Sequence, residues 1–322
     1  MKIGLFGCGA YAMALSSILS DNNCKITMWT KFDEEANNLS KNRSNYNLIP
    51  NYKISNDILI TTNIEECINN KDLLIIAIPA AFVNDLALSM KPFIKDNNIL
   101  IATKGIEQKT CLFMNEILEK ILNTKNIAAI SGPTFAVDIV SKLPCGLSVA
   151  GDKNTVNLVK KALNNNYIKL KECDGILGIE ILGAIKNVFA IGSGILDGMN
   201  ANESTKSMYL TEALFSLNEL LKYLNCSTSS LISYAGVGDL FLTCSSNKSR
   251  NFSLGNIIGR NKNKEEIDLY IKNTTVEGYY TLISIYDLLK KKNINIKLIN
   301  TIYDIVINKN TPNKLYEYLT QK

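Results

Sequence analysis

The sequence contains no histidine. This absence excludes the Ser-His-Asp and Cys-His arrangements of hydrolases and proteases, proton relays through imidazole, and metal sites built on imidazole. Any acid–base chemistry must therefore be carried out by lysine, aspartate, glutamate, tyrosine or cysteine side chains.

The eight cysteines include no C-x-x-C motif and lie mostly in apolar stretches. That distribution is typical of reduced, buried thiols and not of a zinc site or a disulfide framework. We therefore expect a cytoplasmic protein without a bound metal.

Long apolar runs are also missing. The longest uninterrupted ones, such as residues 73–78, have the length of a strand, so we expect a protein without an integral membrane segment. The 322 residues suit two domains. With 46% hydrophobic residues, 20% charged residues and a net charge of +5, the composition is globular and gives no indication of nucleic-acid binding.

The first half of the chain alternates short apolar runs with amphipathic stretches, which predicts an α/β fold with a mostly parallel sheet covered by helices. The predicted strands are residues 2–6, 25–29, 73–78, 99–103, 128–131, 146–150 and 167–170. The predicted helices between them are residues 12–20, 34–41, 83–90 and 111–122. From about Gly175 onward, helical periodicity takes over and predicts an all-α second half. Its helices are predicted at residues 177–193, 207–224, 231–234, 277–292, 298–307 and 312–320.

A glycine-rich segment, Gly7-Cys8-Gly9-Ala10-Tyr11-Ala12, lies directly between the first predicted strand and the first predicted helix. In a G-x-G-x-x-A loop the first glycine permits a tight turn, the second lets backbone approach a pyrophosphate, and the small third residue lets helix and strand pack closely. The helix N-terminus offers its free N–H groups to the phosphates. We therefore predict a doubly wound Rossmann domain that binds a dinucleotide at residues 1–180, and a helical substrate-binding domain at residues 181–322.

The end of the second predicted strand leaves the choice of dinucleotide open. NAD-selective sites usually carry an acidic residue there, but this strand ends in Met28-Trp29-Thr30-Lys31. Lys31 could accept the 2′-phosphate of NADP, or it could be a solvated surface lysine. The sequence thus predicts NAD or NADP as cofactor without choosing between them.

Small or polar residues also interrupt the chain where a core would favour apolar bulk. These segments are residues 102–105, 131–136, 183–187, 236–240, 249–251 and 276–278. Together with the glycine-rich loop, they make the chain resemble the NAD(P)-dependent glycerol-3-phosphate dehydrogenase family, the bacterial type most closely, over nearly its whole length. The resemblance implies an enzyme that interconverts sn-glycerol 3-phosphate and dihydroxyacetone phosphate and supplies glycerol 3-phosphate for phospholipid synthesis. It also implies a homodimer.

The chemistry of this reaction calls for a proton acceptor. In a chain without histidine, a desolvated lysine is the natural candidate, because burial lowers the pKa of an amine. Lys186 lies within the apolar predicted helix at residues 177–193, although a lysine can also extend from such a helix to water. The resemblance implies that Lys186 is the proton acceptor and that Asp239 and Lys104 are catalytic as well.

The resemblance further implies the binding residues. A phosphate dianion calls for a cationic fork and helix N–H groups, and Ser249-Arg250-Asn251 precedes a predicted helical stretch. The implied substrate-binding residues are Lys104, Gly132, Thr134, Lys186, Asp239, Ser249, Arg250 and Asn251. The implied cofactor-binding residues are Gly7, Gly9, Ala10, Tyr11, Ala12, Lys31, Lys104, Ala136, Arg250, Thr275 and Glu277. Thr243, near Asp239, is a weaker candidate.

Three positions depart from the family pattern, which commonly has serine at Ala10, glycine at Ala12, and histidine or arginine at Lys31. These departures put cofactor preference in doubt more than they do the reaction.

Two alternatives remain. Hydroxyacid dehydrogenases of the 6-phosphogluconate kind share the architecture, but would not be expected to carry Thr134 and residues 249–251 in this order. A nucleotide-binding sensor without turnover would have little reason to retain Lys186, Asp239 and Arg250 together.

Overall fold

The computed structural model describes residues 1–260 and 264–321 and divides the chain into two compact units. The first unit consists of Met1–Thr103 and Met114–Ile176, and the second of Lys104–Phe113 and the chain from Leu177 onward. Each unit has its own apolar core.

In the described residues, the first unit contains one eight-stranded sheet. Its strands are β1 (Lys2–Phe6), β2 (Lys25–Trp29), β3 (Leu59–Thr61), β4 (Leu73–Ile76), β5 (Asn98–Ile101), β6 (Ile127–Ser131), β7 (Cys145–Gly151) and β8 (Ile168–Glu172). Their order is β3-β2-β1-β4-β5-β6-β7-β8, and every neighbouring pair is parallel except β6 and β7. The first six follow the Rossmann order, with the topological switch between β1 and β4. The predicted α/β fold is confirmed.

Helices cover this sheet. They are α1 (Ala10–Asp21), α2 (Asp33–Asn42), α3 (Ile64–Ile68), α4 (Val83–Met90), α5 (Met114–Leu122), α6 (Ala136–Val140) and α7 (Lys153–Leu163). Strand residues such as Leu5 and Ile75 pack in one core with Met13 and Leu15 of α1. Strands β1 and β4 are almost continuously apolar because a parallel sheet with helices on both faces buries both sides of its central strands.

The described part of the second unit is built from helices. They are α8 (Ile176–Gly198), α9 (Glu203–Tyr223), α10 (Asp239–Cys244), α11 (Arg250–Gly259), α12 (Lys264–Asn273), α13 (Glu277–Lys291), α14 (Lys297–Val306) and α15 (Lys314–Thr320). Its core contains residues of α8, α9, α13 and α14, and almost every residue of α8 is buried. The prediction of an all-α second half is confirmed.

The segment Lys104–Phe113 belongs to the second unit, although the sequence analysis placed it in the first domain and drew the boundary at residue 180. Ile106, Cys111 and Phe113 are buried in the helical core, and Ile106 forms an isolated antiparallel bridge with Phe113. Cys111 has a φ of 59°, a left-handed conformation that a helix interior does not allow. The helix predicted from residue 111 therefore begins only at Met114.

Helix α8 is long and apolar enough to cross a membrane by length and composition, although no uninterrupted apolar run in the sequence indicated this. Its most apolar 18-residue window is 89% buried inside the protein. Burial in the second unit therefore explains its hydropathy, as for the central helix of a folded core.

Helices α8 and α11 approach each other at backbone distance. Four glycines make this possible: Gly194 and Gly198 on α8, and Gly255 and Gly259 on α11. A Cβ on Gly194 would lie 2.0 Å from the Phe252 carbonyl oxygen, and one on Gly255 would lie 1.9 Å from that of Ile191. Because real Cβ atoms do not come so close, only glycine fits, and the N-terminus of α11 is held at a defined position beside α8.

Candidate active site

The glycine-rich loop follows β1 and leads into α1. Gly7 has a φ of 125°, and a Cβ there would lie 2.5 Å from the Ala77 carbonyl oxygen, so both conformation and space require glycine. Gly9 is the N-cap of α1 without a side-chain cap, and a Cβ on it would meet nothing within 4 Å. The helix therefore begins with uncapped N–H groups beside open space, which fits a pyrophosphate group.

The other predicted residues of the first unit lie around strand ends and helix starts. Ala12 is fully buried in α1, which agrees with the need for a small residue at the helix–strand contact. Tyr11 Oη lies 3.4 Å from Thr134 Oγ1, so these two side chains are brought together.

The other small residues predicted in this unit have structural roles. A Cβ on Gly132 would lie 2.5 Å from the Gly146 carbonyl oxygen, so close packing requires glycine there. Ala10 and Ala136 begin α1 and α6.

Glu35, which lies close to the end of β2, is a candidate residue that the sequence analysis missed. Thr30 follows the strand, is buried, and donates its hydroxyl hydrogen bond to the carboxylate of Glu35, in the first turn of α2. Lys31, between them in sequence, is exposed. The signal that could have identified Glu35 is the acidic run Asp33-Glu34-Glu35 at the start of the helix after the second strand.

The centre of the second unit's site is a buried carboxylate between two lysines. Lys186, in the middle of α8, donates hydrogen bonds to Asp239 Oδ1 and, at 2.8 Å, to Thr243 Oγ1. Lys104 Nζ donates to Asp239 Oδ2 at 2.7 Å. Asp239 is fully buried, and Lys186 is 7% exposed. The three residues predicted to be catalytic therefore form one hydrogen-bonded cluster, which Thr243 joins.

The two charges at the centre perturb each other. Burial lowers the pKa of Lys186 to about 8; Asp239 opposes this change, and Lys104 adds to it. Burial acts to raise the pKa of Asp239, but the two lysines outweigh it and hold that pKa below its usual value. The cluster therefore combines a stabilised carboxylate with an amine whose pKa lies below the usual lysine value.

A tight turn before α10 positions Asp239 beside Lys186. The π-helical turn Tyr234–Gly238 leads directly into α10, and Gly236 within it has non-helical angles, φ −86° and ψ −107°. A Cβ on Gly236 would lie 2.1 Å from the Leu231 carbonyl oxygen. Asp239 then begins α10, and Thr243 lies one turn later on the same face, where its Oγ1 contacts Asp239 Oδ1 at 3.2 Å.

The N-termini of α11 and α13 meet α8 next to Lys186. Ser249 caps α11 by accepting the Phe252 N–H at 3.3 Å. Asn251 Oδ1 accepts the Gly278 N–H at 2.9 Å, and a Cβ on Gly278 would lie 2.6 Å from the Asn187 carbonyl oxygen. The start of α13 is thereby fixed against both α8 and α11.

Three further predicted residues lie at these helix starts. Arg250, the first residue of α11, is exposed. Glu277, the first residue of α13, is half-buried; burial raises its pKa, opposed by Arg250, Lys104 and Lys186. The charges of all three cations thus act on the pKa of Glu277. Thr275 is exposed and lies two residues before α13.

Within residues 1–260 and 264–321, no group of three or more cysteine, aspartate or glutamate side chains is arranged to hold a metal ion.

Comparison with known proteins finds one family over most of the chain. A family model described as NAD-dependent glycerol-3-phosphate dehydrogenase N-terminus matches residues 2–157, and the corresponding C-terminus model matches residues 175–317. The glycerol-3-phosphate dehydrogenase (NAD(P)+) of Fusobacterium nucleatum is 32% identical over 325 residues, covering 99% of this chain and 96% of the relative. That of Staphylococcus carnosus is 29% identical, covering 95% and 93%.

A solved structure shows the same fold. The crystal structure of glycerol-3-phosphate dehydrogenase from Coxiella burnetii superposes with a TM-score of 0.93, covers 99% of both chains and is 24% identical in sequence. Two matching family models, placed in order over the glycine-rich loop and the lysine cluster, and a full-length relative at 32% identity lead to one conclusion. The chain belongs to the NAD(P)-dependent glycerol-3-phosphate dehydrogenase family.

Proposed function

We propose that this protein interconverts sn-glycerol 3-phosphate and dihydroxyacetone phosphate, with Lys186 as its acid–base residue. The observation that carries the proposal is the buried amine of Lys186, hydrogen-bonded to Asp239 and Thr243. A lysine placed in an apolar helix costs free energy unless its charge is paired. A functional reason for keeping it there is the proton transfer that the reaction needs.

In the oxidation direction, the neutral amine of Lys186 accepts the proton of the substrate's C2 hydroxyl. The nicotinamide, when bound, supplies the hydride acceptor for C2. In the reverse direction, the ammonium of Lys186 protonates the carbonyl oxygen of dihydroxyacetone phosphate. A pKa of about 8 suits both directions, because an acid–base group works best when its pKa is near the operating pH.

Asp239 and Lys104 control the orientation and the protonation of the Lys186 amine. The Asp239 carboxylate stabilises the ammonium that forms during oxidation and orients Nζ by a hydrogen bond. Lys104, on the other carboxylate oxygen, places a second positive charge nearby, which helps the amine to release its proton. Because Lys104 is 14% exposed, we propose that it also contacts the substrate and the cofactor.

We assign the substrate phosphate to the N-terminus of α11. A dianion there is stabilised by the first-turn N–H groups and by the exposed Arg250 guanidinium. Ser249 supports the site by capping the helix. The Oδ1 of Asn251 is engaged by Gly278, so its contribution to binding falls to the Nδ2 donor. Gly132 and Thr134 complete the proposed substrate residues.

The cofactor is assigned to the glycine-rich loop, where Gly7 and Gly9 provide the backbone approach. The remaining proposed cofactor residues are Ala10, Tyr11, Ala12, Lys31, Lys104, Ala136, Arg250, Thr275 and Glu277. The geometry of Gly9 and the uncapped start of α1 support this assignment.

Three broader proposals rest on family membership. We propose that the enzyme supplies glycerol 3-phosphate for phospholipid synthesis, that it acts in the cytoplasm and that it forms a homodimer. The cysteines support a reducing location, because all eight, which lie in the described part of the chain, are free thiols, whereas oxidising compartments favour disulfides.

The proposed reaction is tested by mixing the protein with dihydroxyacetone phosphate and NADH or NADPH, and following the loss of reduced-nicotinamide absorbance. Lys186→Met keeps the length of the side chain and removes the amine. We expect it to lower kcat by about 10³-fold, the usual contribution of a general acid–base group, while nucleotide affinity changes little. Turnover by Lys186→Met at the wild-type rate would refute the role of this lysine, and no turnover by the wild type would refute the reaction.

A further inference from the structure

Acidic side chains predominate among the charged residues that line the cavity beside the end of β2. It has a volume of about 680 Å³ and is lined by Cys8 of the glycine-rich loop and by residues 31–35, among others. Three of those lining side chains are the carboxylates of Asp33, Glu34 and Glu35, against the single ammonium of Lys31. A ligand in this cavity therefore meets a predominantly negative surface.

Glu35 is held in this cavity by a chain of hydrogen bonds. The Phe32 N–H donates to Thr30 Oγ1 at 3.4 Å, and the Thr30 hydroxyl donates to Glu35 Oε2. Thr30 is 4% exposed, so its hydroxyl is fixed by the end of the strand. The carboxylate therefore has a defined position, with Oε1 still available as an acceptor.

The same carboxylate lies close to the glycine-rich loop. The Gly7 N–H donates to the Trp29 carbonyl oxygen at 2.8 Å, which joins the loop to the end of β2, and the Cys8 thiol contacts that oxygen at 3.9 Å. Burial raises the pKa of Cys8, and the negative charge of Glu35 adds to this effect. Glu35, in the first turn of α2, thus lines the same cavity as Cys8 of the loop proposed to bind the pyrophosphate.

We propose that Glu35 binds the ribose diol in the adenosine half of the dinucleotide and so selects NAD(H) over NADP(H). In Rossmann domains an acidic residue near the end of the second strand accepts the hydrogen bond of the ribose 2′-hydroxyl. Here the strand end supplies none, and the first turn of the following helix supplies the carboxylate instead. This inference rests on the nucleotide site of the proposed function.

Lys31 does not reverse this preference. It lines the same cavity but is exposed, and an exposed lysine is screened by water and salt. A 2′-phosphate dianion at the ribose would meet the fixed carboxylate of Glu35 together with those of Asp33 and Glu34. Repulsion between like charges at short range then disfavours NADP(H).

Direct binding tests the assignment without relying on turnover. The fluorescence of NADH and of NADPH is titrated with wild-type protein, Glu35→Gln and the control Glu66→Gln. Glu66 is an exposed acid in the first turn of α3, so its replacement removes the same charge from a comparable helix start. We expect the wild type to bind NADH more tightly, and Glu35→Gln to shift the NADH-to-NADPH affinity ratio by about tenfold toward NADPH. Glu66→Gln should leave the ratio unchanged.

A second variant, Thr30→Val, tests the hydrogen bond that positions the carboxylate. It keeps the branched shape of the side chain and removes the hydroxyl, so the ratio should move in the same direction as in Glu35→Gln by a smaller factor. Circular dichroism checks that each variant is folded.

Several outcomes overturn the assignment. One is tighter binding of NADPH than of NADH by the wild type; another is a ratio in folded Glu35→Gln within about twofold of the wild-type ratio. Binding of neither nucleotide would overturn both this inference and the nucleotide site on which it rests. The expected shift in a protein that fails to reduce dihydroxyacetone phosphate would support the role of Glu35 and refute only the proposed reaction.

Discussion

At the scale of single residues, the feature that stands out is the sharing of Asp239 by two lysines. Burying an ammonium or a carboxylate alone costs several kcal/mol, and a pair recovers that cost only with good geometry and further hydrogen bonds. Both carboxylate oxygens of Asp239 are engaged, and Thr243 adds a neutral partner. The cluster therefore keeps Lys186 buried while leaving its proton exchangeable.

This charge balance predicts opposite pH dependences for the two directions of the reaction. Because burial lowers the pKa of Lys186 from 10.5 to about 8, the ammonium loses its proton as the pH rises through about 8. Oxidation of glycerol 3-phosphate needs the neutral amine, so kcat/KM should rise through this pH and then level off. Reduction of dihydroxyacetone phosphate needs the ammonium, so kcat/KM should fall over the same range.

Initial rates from about pH 6 to about pH 10 measure both limbs, and kcat/KM reports groups of the free enzyme and free substrates. Because the substrate phosphate titrates near pH 6, only a limb near pH 8 is assigned to Lys186. A limb at the ordinary lysine value of about 10.4, or limbs of the same sign in both directions, would contradict the assignment.

Only part of this cluster could be predicted from the sequence. Lys186 was identifiable as a charge within an apolar helix, and the family resemblance implied Asp239 and Lys104. The contact between Lys104 and Asp239 joins residues 135 positions apart. No local pattern contains such a contact. Glu35 differs, because the acidic run at the start of α2 was a local signal, but only the structure shows its hydrogen bond with Thr30.

At the scale of helices and strands, periodicity predicted most of the longer helices and several strands, but it missed the shortest elements. Strands β1 and β2 and helix α4 have the predicted bounds. Strand β3 has three residues, and α3 and α6 have five each, too few for a period of two or 3.6 to be recognised. These short elements are stabilised by the contacts they make. Helices α7 and α12 were also omitted, although α7 carries a clear N-cap at Asp152.

The glycine contact between α8 and α11 predicts a difference between two identical substitutions on α8. Gly194→Ala would place a Cβ 2.0 Å from the Phe252 carbonyl oxygen, and because that neighbour is backbone, the helices must move apart. We expect a loss of about 3 kcal/mol in the free energy of unfolding. Gly178→Ala would place its Cβ 3.4 Å from Ser230 Oγ, an ordinary contact, and should be neutral or stabilising by up to about 1 kcal/mol.

Denaturant unfolding of both variants provides the comparison. Equal free energies of unfolding for Gly194→Ala and Gly178→Ala would show that the backbone contact between α8 and α11 is unimportant for stability. In addition, Gly194→Ala should weaken the binding of inorganic phosphate, because α11 carries Arg250 at its first position.

At the scale of the whole molecule, the path of the chain does not match a simple two-domain division. The chain leaves the first unit after Thr103, returns at Met114, and leaves it again after Ile176. The segment Lys104–Phe113 places Lys104 against Asp239 and brings Ile106 and Phe113 into the helical core. Lys104 and the apolar residues that anchor its segment therefore enter the second unit together.

The assignment of residues 104–113 to the second unit predicts which unit a core mutation in this segment destabilises. Phe113→Ala, one residue before α5 of the first unit, should cost about 3–5 kcal/mol and increase hydrogen exchange in helices of the second unit, such as α8 and α14. Leu100→Ala on β5 should cost about 2–5 kcal/mol and increase exchange in the sheet instead. Hydrogen exchange followed by mass spectrometry of the intact protein separates the two patterns. Loosening of α5 and the sheet by Phe113→Ala would contradict the assignment of this segment to the second unit.

The sequence by itself determined the parallel sheet, the glycine-rich loop and the helical second half, because hydrophobic period and turn residues are local properties of the chain. The absence of histidine also limited the acid–base chemistry to lysine, aspartate, glutamate, tyrosine and cysteine side chains. Only the tertiary structure decided that Lys104 and Lys186 share Asp239, that residues 104–113 belong to the helical core, and that Glu35 faces the glycine-rich loop. These depend on contacts between residues far apart in the chain, and they form only when the apolar cores bring distant backbone segments together.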